Sequence, residues 1–150
     1  MIVLKKEIAD KMNTNLTPVE IVEKMMKGDS FSKWMGITIE NIEKGSCTLR
    51  LKVQPEMVNG FHIAHGGISY SLSDSALAFA ANAYGKQCVS IETSISHTRP
   101  AKVGDILTAA CKELNRGKTI GIYEVTITNQ NHKKVAIFKG TVHISDRDWE

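Results

Sequence analysis

Apolar and polar residues alternate over residues 36 to 53. Charged residues vanish but for one from 66 to 85, among alanines, serines and large apolar residues, and alternation then returns four times before the end of the chain. The first alternating stretch, GITIENIEKGSCTLRLKV, reads as a hairpin turning near Lys44-Gly45. In its second strand Cys47, Leu49, Leu51 and Val53 face one way, and Ser46, Thr48, Arg50 and Lys52 face the other. Cys47 is therefore read as a core residue. QPEMVNGFHIAHGG, with Pro55 and its glycines, reads as a loop, and a helix is predicted over residues 65 to 84. Strands are predicted over roughly 87–97, 105–115, 119–129 and 134–144. The joins RPAKVGD, NRGKT and NQNHKK are short, which predicts hairpins and antiparallel pairing. Residues 1 to 35 read as a helical segment. There Thr17 is the N-cap, Pro18 the first helical residue, Glu20 the partner three positions on and Gly28 the stop. FSKWMG adds a short helical turn. The order of helix, two strands, long helix and four strands predicts one α+β domain, with the segment 1–35 ahead of a body spanning 36–150.

The chain has 150 residues, 42% of them hydrophobic, enough for one domain with a substantial core. A net charge of +3, spread along the chain, is too small to indicate nucleic acid but suits an anionic ligand. No apolar run approaches the ~18 residues of a membrane span. The start, MIVLKKEIADK, does not read as a signal peptide. Three cysteines at wide, irregular spacing, Cys47, Cys88 and Cys111, are expected to be reduced thiols in the cytoplasm. No metal-ligand spacing is present, so no metal site is expected.

The long helix carries the candidate chemistry. Ile68, Leu72 and Phe79, with Tyr70, Leu77 and Tyr84, leave it little polar face, as in a buried helix. Asp74 is the one charged residue between Gly66 and Gly85. A carboxylate placed there caps something, pairs with a distant Arg, or is a general base or nucleophile tuned by burial. A stripe of Gly67, Ser71, Asp74, Ala78 and Ala81 is small except for the aspartate, so another backbone can approach it closely. HGG puts two glycines in the first helical turn, where free N–H groups and the helix dipole favour negative charge. Asn59 lies in the loop just before.

NGFHIAHGGISYSLSDSALAFAANAYG resembles the hotdog-fold acyl-CoA thioesterases of the PaaI (phenylacetic acid degradation) type. The pattern Asn-Gly, four residues, His-Gly-Gly, six residues, Asp is met by Asn59-Gly60, His65-Gly66-Gly67 and Asp74. The similarity extends through HTRPAKVGDILTAA and beyond, covering roughly residues 30 to 144. It implies a long central helix wrapped by a curved antiparallel sheet, and subunits joined through their sheets as a homodimer or homotetramer. It implies hydrolysis of an acyl- or aryl-CoA thioester without metal or bound cofactor, CoA being part of the substrate. In that reading Asp74 is the base or nucleophile, Gly67 supplies an oxyanion N–H, Asn59 positions water or thioester, and His65 lies near the carbonyl. Phe61, His62 and Ile63 replace more polar residues common in this loop. Arg99, Lys102, Arg116 and Lys118 lie in or beside loops that could meet the CoA phosphates. His97, at a strand end, and His132 and His143 are read as ordinary. Two alternatives are a hotdog hydratase and a non-catalytic acyl-CoA-binding module. The hydratase pattern has His five residues after the Asp, where this chain has Phe79. A DNA-binding regulator needs more than the first ~35 residues offer.

Overall fold

Thr17 and Glu20 close the first helix in both directions. The Glu20 N–H donates to Thr17 Oγ1 at 3.3 Å, and the Thr17 N–H to Glu20 Oε2 at 2.7 Å. The computed structural model describes residues 16–150, so residues 1–15 of the predicted N-terminal segment lie outside the described residues. Helix α1 spans Pro18–Gly28 and buries Ile21 and Val22. Helix α2, Ser30–Met35, is the predicted short turn. Asp29 caps its start, accepting from the Ser32 N–H at 2.8 Å, and Gly36 ends it in the left-handed region at φ 70°.

The hairpin follows as β1 (Thr38–Glu43) and β2 (Ser46–Lys52), turning at Gly45. Helix α3 is Gly66–Asn82, and β3 (Lys86–His97), β4 (Ile106–Arg116), β5 (Ile120–Thr128) and β6 (Lys134–Asp148) complete the chain. All six strands form one antiparallel sheet in the order β1-β2-β4-β5-β6-β3. The sheet wraps α3, which packs on all six strands and is the only described helix to do so. This is the expected α+β hotdog arrangement. Leu72, Ala76, Leu77 and Ala80 are fully buried against inward-facing residues such as Leu49, Leu107, Val125 and Phe138. Gly140 in β6 makes room for this contact, because a Cβ there would stand 2.5 Å from Leu77 Cδ2. Among the described residues no helix is long and apolar enough to cross a membrane.

One pairing departs from the sequence expectation. The short join after β3 suggests a hairpin with β4, yet β4 pairs with β2 and β5, and β3 pairs with β6 at the sheet edge. The link between His97 and Ile106 can reach ~25 Å when extended. Three interstrand spacings amount to only ~14 Å. The link can therefore cross the curved sheet as easily as it can turn back.

Asn82 fixes where β3 begins. It is fully buried. Its Oδ1 accepts from the Cys88 N–H at 2.9 Å and from Trp149 Nε1 at 2.8 Å, and its Nδ2 donates to the Ala78 and Cys88 carbonyls at 2.8 and 3.1 Å. Its amide is thus saturated. These bonds turn the chain from the end of α3 into β3, which runs back alongside the helix. Asn82→Ala leaves buried backbone groups unpaired, so we expect it to cost about 3 kcal/mol of stability, read as a lower denaturant midpoint at unchanged m-value.

Candidate active site

The α3 start is built by His65. It is the N-cap residue, and its Nδ1 accepts the Gly67 N–H at 2.9 Å, so the neutral ring carries its proton on Nε2. The His65 carbonyl takes the Ile68 N–H at 2.9 Å. The predicted oxyanion donor is therefore already engaged, while no described group accepts the neighbouring Gly66 N–H. An imidazole nitrogen on Gly67 is a neutral acceptor. A developing oxyanion is a stronger one, so an exchange of partners becomes favourable as charge builds rather than when a neutral carbonyl arrives.

Asn59 holds its own loop. Its Oδ1 accepts the Phe61 N–H at 2.9 Å, and its carbonyl accepts the His62 N–H at 2.9 Å, with His62 in the left-handed region at φ 60°. An isolated bridge between Val58 and Ala64 closes the loop. With Oδ1 committed, the amide Nδ2 is left to donate.

Asp74 is half-buried on α3. Among the described residues it joins no ion pair and caps no helix end. Burial pushes its carboxyl above the usual range, and the Ser90 hydroxyl on β3 offsets part of that. Tyr70, one turn earlier, hydrogen-bonds Thr93 on the same strand. Ser90 was missed in the sequence because only tertiary structure brings β3 beside α3. The stripe residues Gly67, Ser71, Asp74 and Ala78 are all half-exposed, whereas Ala81 is buried. Gly67 and Asp74 share one continuous helix and stand ~10 Å apart along its axis, too far to meet on one carbonyl.

Two cavities flank the helix start. One, of about 470 Å³, is lined by Asn59, Ile63, Gly66, His97, Arg99 and Leu107 among others. The second, of about 330 Å³, involves Phe31, Trp34, Glu56, Met57, His65 and Gly67. His97, read as ordinary in the sequence, belongs to the first. Its Nε2 lies 2.9 Å from Ser69 Oγ and 3.3 Å from the Gly66 carbonyl, and its ring occupies the space a Cβ on Gly66 would need.

Among the four loop cations Arg99 lines a cavity at the helix start. Arg116, at the end of β4, is held by groups of its own chain. Its guanidinium donates to Tyr123 Oη at 2.9 Å and to the Ala81 carbonyl at 3.4 Å, and lies 4.0 Å over the Tyr84 ring. It is anchored at the opposite end of α3, where buried Tyr123 accepts its hydrogen bond and in turn donates to half-buried Glu113. Lys118 and Lys102 are exposed, Lys118 near that far end and Lys102 in the link after β3. The cysteines are buried and unpaired, and burial pushes all three thiols up, Cys47 to about 12, which disfavours the thiolate a nucleophile needs.

Residues 61–136 match the family model described as Thioesterase superfamily. The chain is 37% identical over 119 residues to the acyl-coenzyme A thioesterase PaaI of Escherichia coli K12, covering 79% of this chain and 85% of that one. The solved structure of that PaaI protein, from the phenylacetic acid degradation operon, superposes with a TM-score of 0.85 over 87% of this chain and 95% of that one. Human acyl-coenzyme A thioesterase 13 is 29% identical over 131 residues, covering 85% and 94% of the two chains. A hypothetical thioesterase protein from Streptococcus pneumoniae TIGR4, solved with coenzyme A, gives a TM-score of 0.79 at 25% identity, covering 84% and 98%.

Two outcomes follow from this geometry. His65→Ala removes the cap on α3 and should cost about 1 kcal/mol of stability in chemical denaturation. Asp74 has a folded-state pKa above its unfolded value, so ionising it opposes folding. That penalty is absent below the unfolded value, grows as pH rises to the folded value and is full above it. Asp74→Asn should therefore raise Tm at pH 7, and the gain should vanish below the ordinary aspartate value of 3.8. Tm scans of both proteins across pH test this.

Proposed function

Since the chain belongs to the thioesterase superfamily, we propose that it hydrolyses an acyl-CoA thioester to the free acid and CoA, at two equivalent sites shared between two copies. The observation that carries this is Asp74, a half-buried carboxylate that has no counterion among the described residues, on the half-exposed stripe of the helix whose start holds the glycine N–H groups.

The thioester carbonyl oxygen docks at the α3 start. As it gains charge it takes hydrogen bonds from the glycine N–H groups, Gly67 exchanging His65 Nδ1 for the oxyanion, and from Asn59 Nδ2. Asp74 removes a proton from the attacking water, with Ser90 steadying the carboxylate, or attacks the carbonyl itself to form a mixed anhydride that water then opens. In either route the C–S bond breaks and CoA leaves as the thiolate. Arg99, beside the helix start, attracts the CoA phosphates. The raised pKa leaves the carboxylate a stronger base than an exposed aspartate, and the rate falls as acid protonates it.

The ~10 Å between Gly67 and Asp74 supports a site made by two chains. So does the edge position of β3, where Val89 is 64% and Ile91 57% exposed beside Ser90. An unpaired edge strand carrying apolar side chains is a surface for another strand, and a second copy of β3 meets it in an isologous dimer. An antiparallel α3 partner then brings its Asp74 to the first chain's Gly67. The hydratase reading is disfavoured because Phe79 is buried in the core.

Asp74→Ala should lower kcat by roughly a hundredfold or more, with CoA still bound. Mixed dimers of Asn59→Ala and Asp74→Ala chains hold one doubly damaged and one intact site. Purified after co-expression, they should recover about half the parental activity. Mixed dimers as inactive as their parents would place Asp74 with its own chain's helix start instead. Arg99→Ala should raise KM at low salt with little change in kcat, an effect that fades as salt rises.

A further inference from the structure

The peptide that joins Gly66 to Gly67 has two polar ends. Its N–H belongs to Gly67 and is an oxyanion donor in the reaction above. Its carbonyl belongs to Gly66 and meets two side chains. Ser69 Oγ donates to it at 3.1 Å, and His97 Nε2 stands 3.3 Å from it and 2.9 Å from Ser69 Oγ. The three atoms form a closed triangle. With a proton on Nε2, the imidazole donates to the hydroxyl and the carbonyl, and the hydroxyl proton is left for the carbonyl. With Nε2 bare, its lone pair would face the carbonyl oxygen, and both would compete for one hydroxyl proton. The contacts therefore select the form with its proton on Nε2.

The ring has little freedom to leave. Its residue pairs with Ala136 at the end of the β3–β6 ladder. The next residue, Thr98, is tied to β6 by its N–H on the Val135 carbonyl at 2.8 Å and its Oγ1 on the Lys134 carbonyl at 3.0 Å. The ring lies over Gly66 so closely that a Cβ there would stand 3.2 Å from His97 Cε1. Ser69 is buried, so its hydroxyl depends on these partners rather than on solvent.

We propose that His97 is a positioning residue for hydrolysis: through the Gly66 carbonyl it orients and polarises the Gly66–Gly67 peptide, making the Gly67 N–H a stronger donor to the oxyanion. This rests on the hydrolytic reading above. A carbonyl oxygen that accepts hydrogen bonds draws electron density from its own peptide nitrogen and leaves the N–H more positive, which is how chained hydrogen bonds strengthen one another. The same peptide is held at its other end by His65 Nδ1, 2.9 Å from the Gly67 nitrogen. Two imidazoles thus grip one peptide, one as donor and one as acceptor. A fractional strengthening of the N–H favours an oxyanion more than a neutral imidazole or a neutral thioester carbonyl, so the gain falls on kcat rather than on substrate binding. An oxyanion donor contributes roughly a hundred- to a thousandfold in rate. Strengthening its bond by about 10–30% changes the rate about two- to eightfold.

Two substitutions separate the hydrogen bond from the packing. His97→Gln keeps a donor nitrogen at the reach of Nε2 without the ring, and His97→Phe keeps a ring without the donor. The substrate is whichever of acetyl-, hexanoyl- and benzoyl-CoA the parent turns over fastest. His97→Phe should lower kcat about fivefold with KM within about twofold of the parent, and His97→Gln should recover most of the loss. A second readout needs no turnover. In carbon-13-labelled protein the Gly66 carbonyl resonance should move upfield in His97→Phe, as a carbonyl does on losing a hydrogen bond, and stay near the parental position in His97→Gln. A ring that only fills space gives the reverse order, with Phe close to the parent and Gln impaired, and that order overturns the proposal. So does a Gly66 resonance that moves in neither variant, or a His97→Phe protein with the parental kcat. Should His97→Phe not fold, His97→Leu, which also lacks the donor, takes its place in the same comparison. A parent that cleaves none of these thioesters, with the order of resonances intact, sinks the hydrolytic reading while the polarised peptide stands.

Discussion

A helix enclosed by its own sheet has little surface left for chemistry. Six strands and their inward side chains cover most of α3, and only its first turn and one narrow stripe remain open. Everything polar that the helix offers must appear at those two places. The first turn offers backbone N–H groups, and the stripe offers a single carboxylate among small residues. The spacing between them follows from the helix rise, and that spacing makes a second chain the natural way to complete a site.

Both places carry a cost that function explains. Asp74 sits where burial disfavours its charge, with one hydroxyl rather than a cation beside it. A stability-driven choice would be an asparagine or alanine. At the helix start, the imidazole cap satisfies Gly67 while no charge is near, so an empty site is not left with every donor bare. In the proposed reaction the cap yields to an oxyanion, which would make the donor selective for the transition state over the neutral carbonyl.

The edge strand β3 links the two places. Asn82 sets its starting point and Tyr70 ties its middle to α3. That alignment brings Ser90 to Asp74 near one end of the strand and His97 to Gly66 at the other. The same strand presents Val89 and Ile91 outward. One element thus serves the carboxylate, the helix start and the surface offered to a partner.

The sequence by itself determined what local rules govern. The Thr17–Glu20 capping box, the end of the first helix at Gly28, the Lys44-Gly45 turn and the alternation of β2 all involve residues a few positions apart, and each is found where the pattern put it. Asp74 was legible for the same reason, because its isolation is a property of the neighbouring residues along the chain. Tertiary structure alone decided the rest. The position of β3 beyond β6 could not be read, since the link after it reaches either neighbour. With β3 unplaced, neither Ser90 nor His97 could be assigned to the site. The anchoring of Arg116 could not be read, because the buried Tyr123 that holds it comes from the neighbouring strand β5. The hold of His65 on Gly67 depends on a side-chain conformation, which residue spacing does not encode. Periodicity records which face a residue turns to the core, and only the packed sheet decides what it meets there.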